Sequence, residues 1–252
     1  MTERDVLIEK YMIEVERVTM RFNMPREKVD NIKEYLIKLL KRQIRYEEFV
    51  ALSDVTVRIK PGEVIGIVGL NGSGKSTLLK VISGILTPSE GIVRTHGSIS
   101  PMIELGAGFD MELTARENVF LNGSVLGFDR FFLSRKYDEI MDFAELRDFE
   151  DVAIKNFSSG MVARLGFAIA TLVKPDILIV DEILSVGDFL FREKCERRID
   201  ELMSGGTTVL IVSHSLDQIM RLCSRVIWLD RGRIRMDGET GAVCAQYEMA
   251  ER

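Results

Sequence analysis

An α/β fold built on a largely parallel sheet is predicted by three features of the sequence. EVIGIVGL (63–70), ILIVDE (177–182) and TTVLIVSH (207–214) are short, continuous apolar runs, the pattern of strands covered on both faces. Segments of helical periodicity lie between the first two of them, at 75–85 and from about 161 to 172. A glycine-rich segment then joins the first of these strands directly to a helix, as in phosphate-binding α/β units. The 252 residues suit one large domain or two small ones, and a compact chain of this size buries roughly 70–75% of its unfolded surface.

The elements follow in order. MIEVERVT (12–19) alternates apolar and polar residues and reads as a strand. Pro25 then opens a stretch with Val29, Ile32, Leu36 and Leu39 or Leu40 at helical spacing. Within it YLIKLLKRQIRY (35–46) carries four positive charges and no acid, predicting an inserted amphipathic helix over 25–45 with a basic face. ALSDVTVRI (51–59) is a second strand, and Pro61–Gly62 turns the chain into the first buried one. Residues 91–104 read as short strands broken at Gly97 and Pro101. Leu113 to Phe149 is mainly helical, with breaks at Gly123 and Gly127. In NFSSGMVARL (156–165) two serines stand where a hydroxyl caps a helix start. RVIWLD (225–230), a turn at Arg231–Gly232, another strand and a last helix complete the chain.

Composition excludes several classes. Hydrophobic residues make up 46% and charged residues 29%, an ordinary globular balance, and no apolar run approaches the roughly 18–20 residues of a spanning helix. The net charge of −5 argues against general nucleic-acid binding, which rests on Lys and Arg. Cys195, Cys223 and Cys244 are odd in number and far apart, so neither a disulfide framework nor a zinc site is expected. The first residues do not have the pattern of a signal peptide.

The chemistry concentrates in a few segments. GLNGSGKST (69–77) fits G-x-x-x-x-G-K-[ST] between a buried strand and a helix. Glycines let backbone N–H groups converge on phosphate oxygens. Gly69, Asn71, Gly72, Ser73, Gly74, Lys75, Ser76 and Thr77 are therefore the expected nucleotide contacts. Lys75 is expected to reach the terminal phosphates and Ser76 to hold Mg²⁺. DILIVDE ends in Asp181 and Glu182, at the strand end where ligands of parallel sheets sit. Asp181 is the candidate Mg²⁺ ligand through water and Glu182 the candidate base that polarises the attacking water. His214 ends the next buried strand and is a candidate γ-phosphate sensor.

GLNGSGKST, FSSGMVARL, ILIVDE, SVGD (185–188) and VSHS (212–215) follow one another in the order and spacing of ABC-type ATPases, which the chain resembles over roughly residues 13–235. The wording FSSGMVARLGFAIA and DEILSVGD is similar to that of ATPases serving polysaccharide exporters of the O-antigen, capsule and teichoic-acid types. The resemblance implies a RecA-like core, an antiparallel β lobe and a helical lobe at about 112–172, within one domain spanning 1–252. A short helical tail (236–252) and no appended carbohydrate-binding domain are expected. It also implies ATP and Mg²⁺ as cofactors, and a homodimer in which each ATP lies between the phosphate loop of one copy and the signature of the other. Ser158, Ser159 and Gly160 then face the partner's γ-phosphate, and Asp188 communicates across the dimer. Phe22 matches the aromatic beneath adenine, with Tyr46 and Phe49 as rivals, and Glu104 in MIELGAGFD (102–110) stands nearest the usual glutamine that meets Mg²⁺ or water.

Separate transmembrane permease subunits, two in number, a lipid-linked surface polymer as cargo, and a peripheral position on the cytoplasmic face of the membrane are implied in the same way. Ser159 and Met161 depart from the common LSGGQ signature, and the same replacements are typical of the polysaccharide-export branch. The insert 25–45 fits the gate helix of O-antigen and teichoic-acid exporters, while the capsule type is shorter there. Physically, it suits either an anionic lipid or pyrophosphate head group or a solvated helix packed on the sheet. A soluble ABC protein acting on DNA or ribosomes predicts a long coiled coil or two fused ATPases, neither of which is present. A lone P-loop kinase gives no reason for FSSGM or SVGD.

Overall fold

The computed structural model describes residues 11–25, 46–103, 105–106, 108–181, 188–213 and 215–251. Two sheets organise them. Strands β1 (Ile13–Pro25), β2 (Tyr46–Ile59) and β4 (Glu90–Thr95) form an antiparallel sheet of order β2-β1-β4. Strands β3 (Val64–Val68), β5 (Ile99–Met102), β6 (Ile177–Asp181), β7 (Thr208–Val212), β8 (Arg225–Asp230) and β9 (Arg233–Glu239) form the second, of order β5-β6-β7-β3-β8-β9. Its pairings are parallel except β8–β9. The apolar runs account for this: every residue of β7 is buried, and β3 and β6 each bury four of five, so both faces need covering.

Seven helices are described: α1 (Lys75–Ile82), α2 (Ala115–Val125), α3 (Arg130–Ala144), α4 (Ser159–Ala170), α5 (Phe189–Met203), α6 (Leu216–Leu222) and α7 (Thr240–Glu251). One core lies between the antiparallel sheet, the inner face of the parallel sheet and α1, with Leu52, Ile67, Leu78 and Leu229 among its members. A second covers the opposite face through α5 and α7, where Phe191, Cys195, Ile199 and Val243 pack on Leu178, Val209 and Trp228. The third, around Val119, Tyr137, Ile140, Leu165 and Ile169, belongs to a helical lobe of α2, α3 and α4. Cys195, Cys223 and Cys244 are buried and free. Burial pushes the Cys195 and Cys223 thiols up to about 12, so they pack as neutral groups.

The sequence reading and the structure differ at several points. Pro101, read as a strand break, lies inside β5, where it pairs with Ile179, and residues 236–239, read as the start of the helical tail, belong to β9. β1 continues past Thr19 to Pro25, and β2 begins at Tyr46 rather than Ala51; Pro25 pairs with Tyr46. Residues 26–45 thus leave and rejoin neighbouring positions of one sheet, and the expected amphipathic helix there lies outside the described residues. Gly123 does not break a helix but sits inside α2, where a Cβ would meet Leu133 Cδ2 of α3 at 2.5 Å. Finally, α5 and α6 had not been expected as elements. The spacing of Phe191, Cys195, Ile199 and Leu202 carries the helical signal of α5, but Glu, Lys, Arg and Asp fill the positions between them.

A polar staple closes the foot of β5 and β6. Asp176 Oδ2 accepts the Ser98 N–H at 2.7 Å and the Ser98 hydroxyl at 2.9 Å, bonds that hold its carboxyl below the usual range. A depressed carboxyl pKa contributes stability above the unfolded value near pH 4 and loses it as pH falls through the folded value. Asp176→Asn is therefore expected to flatten the acid limb of stability below about pH 4. Chemical-denaturation midpoints across pH 2.5–7 check this.

Candidate functional site

The chain passes from β3 into α1 through Gly69–Gly74, and two backbone carbonyls decide what that loop can contain. A Cβ on Gly69 would lie 2.2 Å from Leu229 O, and one on Gly74 would lie 2.6 Å from Ala51 O. Both positions also have positive φ, 150° and 104°, so no other residue fits without displacing a neighbouring strand. Gly74 is the N-cap of α1 and supplies no side-chain hydrogen bond, leaving the first N–H groups of that helix uncapped by a side chain. Ser73 Oγ is enclosed and, among the described residues, is without a hydrogen-bond partner, as expected of a loop shaped around a ligand.

Lys75 is buried, and its ammonium is held among loop carbonyls, donating to Gly69 O at 2.7 Å and Leu70 O at 3.1 Å. Across the loop Ser76 Oγ donates to Asp181 Oδ2 at 3.3 Å. This pairing of a hydroxyl with a carboxylate 105 residues away arises because β6 ends beside β7, where Asp181 pairs with Val212, and β7 in turn neighbours β3. Hard oxygen donors of this kind suit Mg²⁺.

Phe49, Ala51, Asn71, Gly72, Gly74, Lys75, Ser76, Thr77, Ile103 and Asp181 line a cleft of about 560 Å³, a volume suited to a small molecule. The structure thus gathers Asn71, Gly72, Gly74, Lys75, Ser76, Thr77 and Asp181, and it places Gly69 and Ser73 in the turn beneath them. Phe22 and Phe49 are cross-strand partners; Phe49 reaches the cleft, whereas Phe22 packs against the core. Tyr46 opens β2 three residues earlier. Glu104, Glu182 and His214 lie outside the described residues, as do Ser185–Gly187 of SVGD.

Ser158, Ser159 and Gly160 stand elsewhere, at the start of α4. Ser158 is its N-cap and accepts the Met161 N–H at 3.2 Å, and no α4 residue lines the cleft. Asp188 is the N-cap of α5. The Phe191 N–H, assisted by Arg164, holds its carboxyl below the usual range. Arg164 of α4 ties these helix starts together: its guanidinium meets Asp188 Oδ2 at 2.5 Å and Glu145 Oε2 at 2.9 Å, and stacks over the Phe191 ring at 4.6 Å. Sequence reasoning missed Arg164 and Ile103. An arginine in an amphipathic helix carries no distinguishing local signal, and Ile103 reads as one more strand residue.

Comparison with known proteins agrees with this arrangement. The family model described as ABC transporter matches residues 52–185. An O-antigen export system ATP-binding protein, RfbB of Klebsiella pneumoniae, is 41% identical over 207 residues, 82% of this chain and 84% of that protein. A teichoic acids export ATP-binding protein, TagH of Staphylococcus epidermidis, is 39% identical over 236 residues, 94% of this chain and 88% of that protein. Among solved structures, an ATP-binding cassette captured as a dimer with ADP and phosphate superposes with a TM-score of 0.70. At 24% identity it covers 91% of this chain and 99% of its own, which establishes the shared fold.

Lys75→Ala removes the one lysine that lines the cleft among the described residues, and charge-assisted contacts of that kind contribute about 1.5–3 kcal/mol. Nucleotide affinity measured by equilibrium titration is expected to fall roughly 10- to 100-fold, with the thermal midpoint little changed.

Proposed function

We propose, because the chain belongs to the ABC transporter family, that it is the ATP-hydrolysing subunit of an exporter that moves a lipid-linked cell-surface polymer of the O-antigen or teichoic-acid type. The observation that carries the nucleotide reading is the cleft itself, where the Lys75 loop faces Ser76 and Asp181. The polymer reading rests on the two export relatives, whose printed roles are O-antigen and teichoic-acid export.

Each residue then has a physical task. The N–H groups of the loop and α1 hold the phosphates, and Lys75 neutralises their terminal charge. Ser76 and Asp181 would hold Mg²⁺, which supplies charge neutralisation between the phosphates. Glu182, directly after Asp181 in sequence, polarises the attacking water, and His214, two residues past the end of β7 in sequence, senses the γ-phosphate. Phe49 takes the adenine-stacking role in preference to Phe22, since it reaches the cleft.

A second copy completes the site. The start of α4 is exposed, with Ser158 capping one N–H, which leaves an anion-binding helix end that does not line its own cleft. Head-to-tail pairing brings Ser158, Ser159 and Gly160 to the partner's γ-phosphate, with Asp188 at the junction. No helix among the described residues is long and apolar enough to cross a membrane, so two permease subunits provide the path. This chain sits peripherally on them at the cytoplasmic face, and residues 25–45 suit an anionic head group by charge.

Glu182→Gln is expected to accumulate an ATP-held dimer with hydrolysis nearly abolished, read by light scattering and phosphate release. Wild-type turnover removes Glu182 from its role. Ser158→Arg is expected to lose hydrolysis while single-chain ATP affinity stays within about twofold, since the side chain belongs to the other copy's site. For the cargo, restoration of export is measured with defined lipid-linked polymers; indifference to every such polymer refutes the export reading.

A further inference from the structure

Helix α3 ends against a lysine that belongs to another helix. The last carbonyls of a helix have no partner within it, and a cation there also meets the negative end of the helix dipole. Lys194 of α5 fills that place: its ammonium donates to Phe143 O at 2.8 Å and Asp142 O at 3.4 Å, and meets Glu145 Oε1 at 3.3 Å. An ammonium has three N–H donors, and these are three acceptors. The same ammonium lies 4.8 Å from the centre of the Phe143 ring. Glu145 is the C-cap of α3 with φ +59°, a left-handed conformation that usually falls to glycine. A carboxylate stands there instead, and it is this carboxylate that Lys194 meets.

The contacts continue into a closed circuit. Glu145 Oε2 accepts Arg164 Nη1 of α4 at 2.9 Å, and the other end of that guanidinium meets Asp188 Oδ2 at 2.5 Å. Asp188 caps the start of α5, six residues before Lys194, or about 9 Å along the helix axis. The circuit thus runs from α5 to α3, to α4 and back to α5. The Phe191 ring lies beneath both cations, 4.6 Å from the Arg164 guanidinium and 5.9 Å from the Lys194 ammonium. Because α5 packs on the parallel sheet while α3 and α4 belong to the helical lobe, the circuit spans the two bodies.

We propose that Lys194 is a positioning residue for ATP hydrolysis: by capping α3 from α5 it fixes Glu145, and through Glu145 and Arg164 it fixes Asp188 at a set distance from Ser158. Those two helix starts are the groups that a second copy's ATP meets, so their spacing decides whether that copy's site is complete. The proposal rests on the two-copy ATPase reading above and adds a residue that touches neither nucleotide nor partner.

Lys194→Met, which keeps an apolar stem and removes the ammonium, tests it, with Arg198→Met as the matched control. Arg198 is the next cation on the same face of α5. It lies 4.9 Å from the centre of the Phe143 ring and meets Glu139 Oε1 at 3.8 Å, outside the circuit. Phosphate release per folded chain is measured at saturating ATP over a range of protein concentrations. Lys194→Met is expected to lower kcat about fivefold or more, because small misplacements of groups around the reacting atoms are costly. Single-chain ATP affinity is expected to stay within about twofold of wild type, since no residue of the phosphate loop is altered. Arg198→Met is expected to keep both within about twofold.

Glu145→Gln opens the circuit at its next link and leaves Lys194 its two carbonyls. It is expected to lose as much kcat as Lys194→Met, and against Arg198→Met it decides the matter if Lys194→Met does not fold. The double variant is expected to be within about twofold of the lower single one, because residues of one network are not additive. Additive losses, an equal loss in Arg198→Met, a parallel loss of ATP affinity, or a kcat of Lys194→Met within twofold of wild type each overturn the assignment. Wild-type specific activity that does not change with protein concentration refutes the two-copy reading, and the assignment with it. Concentration-dependent wild-type activity matched by Lys194→Met refutes the assignment alone.

Discussion

Three backbone segments meet at the phosphate loop with no side chain between them, and the rest of the architecture depends on that meeting. Leu229 O of β8 occupies the space beside Gly69, and Ala51 O of β2 the space beside Gly74. The β8–β9 turn completes the junction: Gly232 N donates to Ser73 O, and Ser53 N donates to Gly232 O, both at 2.8 Å. The antiparallel sheet and the parallel sheet are thus joined at the point where anion-binding N–H groups must be presented. Any added side chain would separate the two sheets and spoil the donors together.

From that junction the chemistry spreads along the carboxyl edge of the parallel sheet. The strand order brings β6 and β3 to either side of β7, which explains how Asp181 and Ser76 come into contact. Helix α4 carries contacts on both sides that attach the helical lobe to the rest of the molecule. Arg164 holds Asp188 and Glu145 on one side, while Gly166 rests on the β5–α2 loop on the other. Exposed ion pairs are individually weak, but this guanidinium is largely enclosed, makes two pairs and stacks on Phe191, which gives it geometric authority over both helix starts.

Legibility in the sequence follows the range of each interaction. The phosphate loop could be read because its requirements are local: positive φ, no Cβ, and a lysine and hydroxyl at fixed offsets. Asp181 was legible through the rule that ligands gather at strand ends. Which of Phe49 and Phe22 reaches the cleft was not legible, because both lie at one rung of the β1–β2 ladder and only the surrounding packing separates them. Arg164 and Asp188 are 24 residues apart, and Gly166 and Gly106 are farther still, so their contacts exist only in the folded chain. Gly123 was misread for the opposite reason: a glycine in a helix can mark a break or a close neighbour, and Leu133 made it the latter.

A site shared between two copies can be tested by mixing two inactive chains. Lys75→Ala retains an intact start of α4, and Ser158→Arg retains an intact phosphate loop. Together they can assemble one complete site, although neither can alone. Phosphate release from an equimolar mixture, compared with each variant by itself, is the direct measurement. Two-copy catalysis predicts that the mixture recovers ATP hydrolysis that neither variant shows. A mixture as inactive as its components, in chains that demonstrably associate, contradicts it.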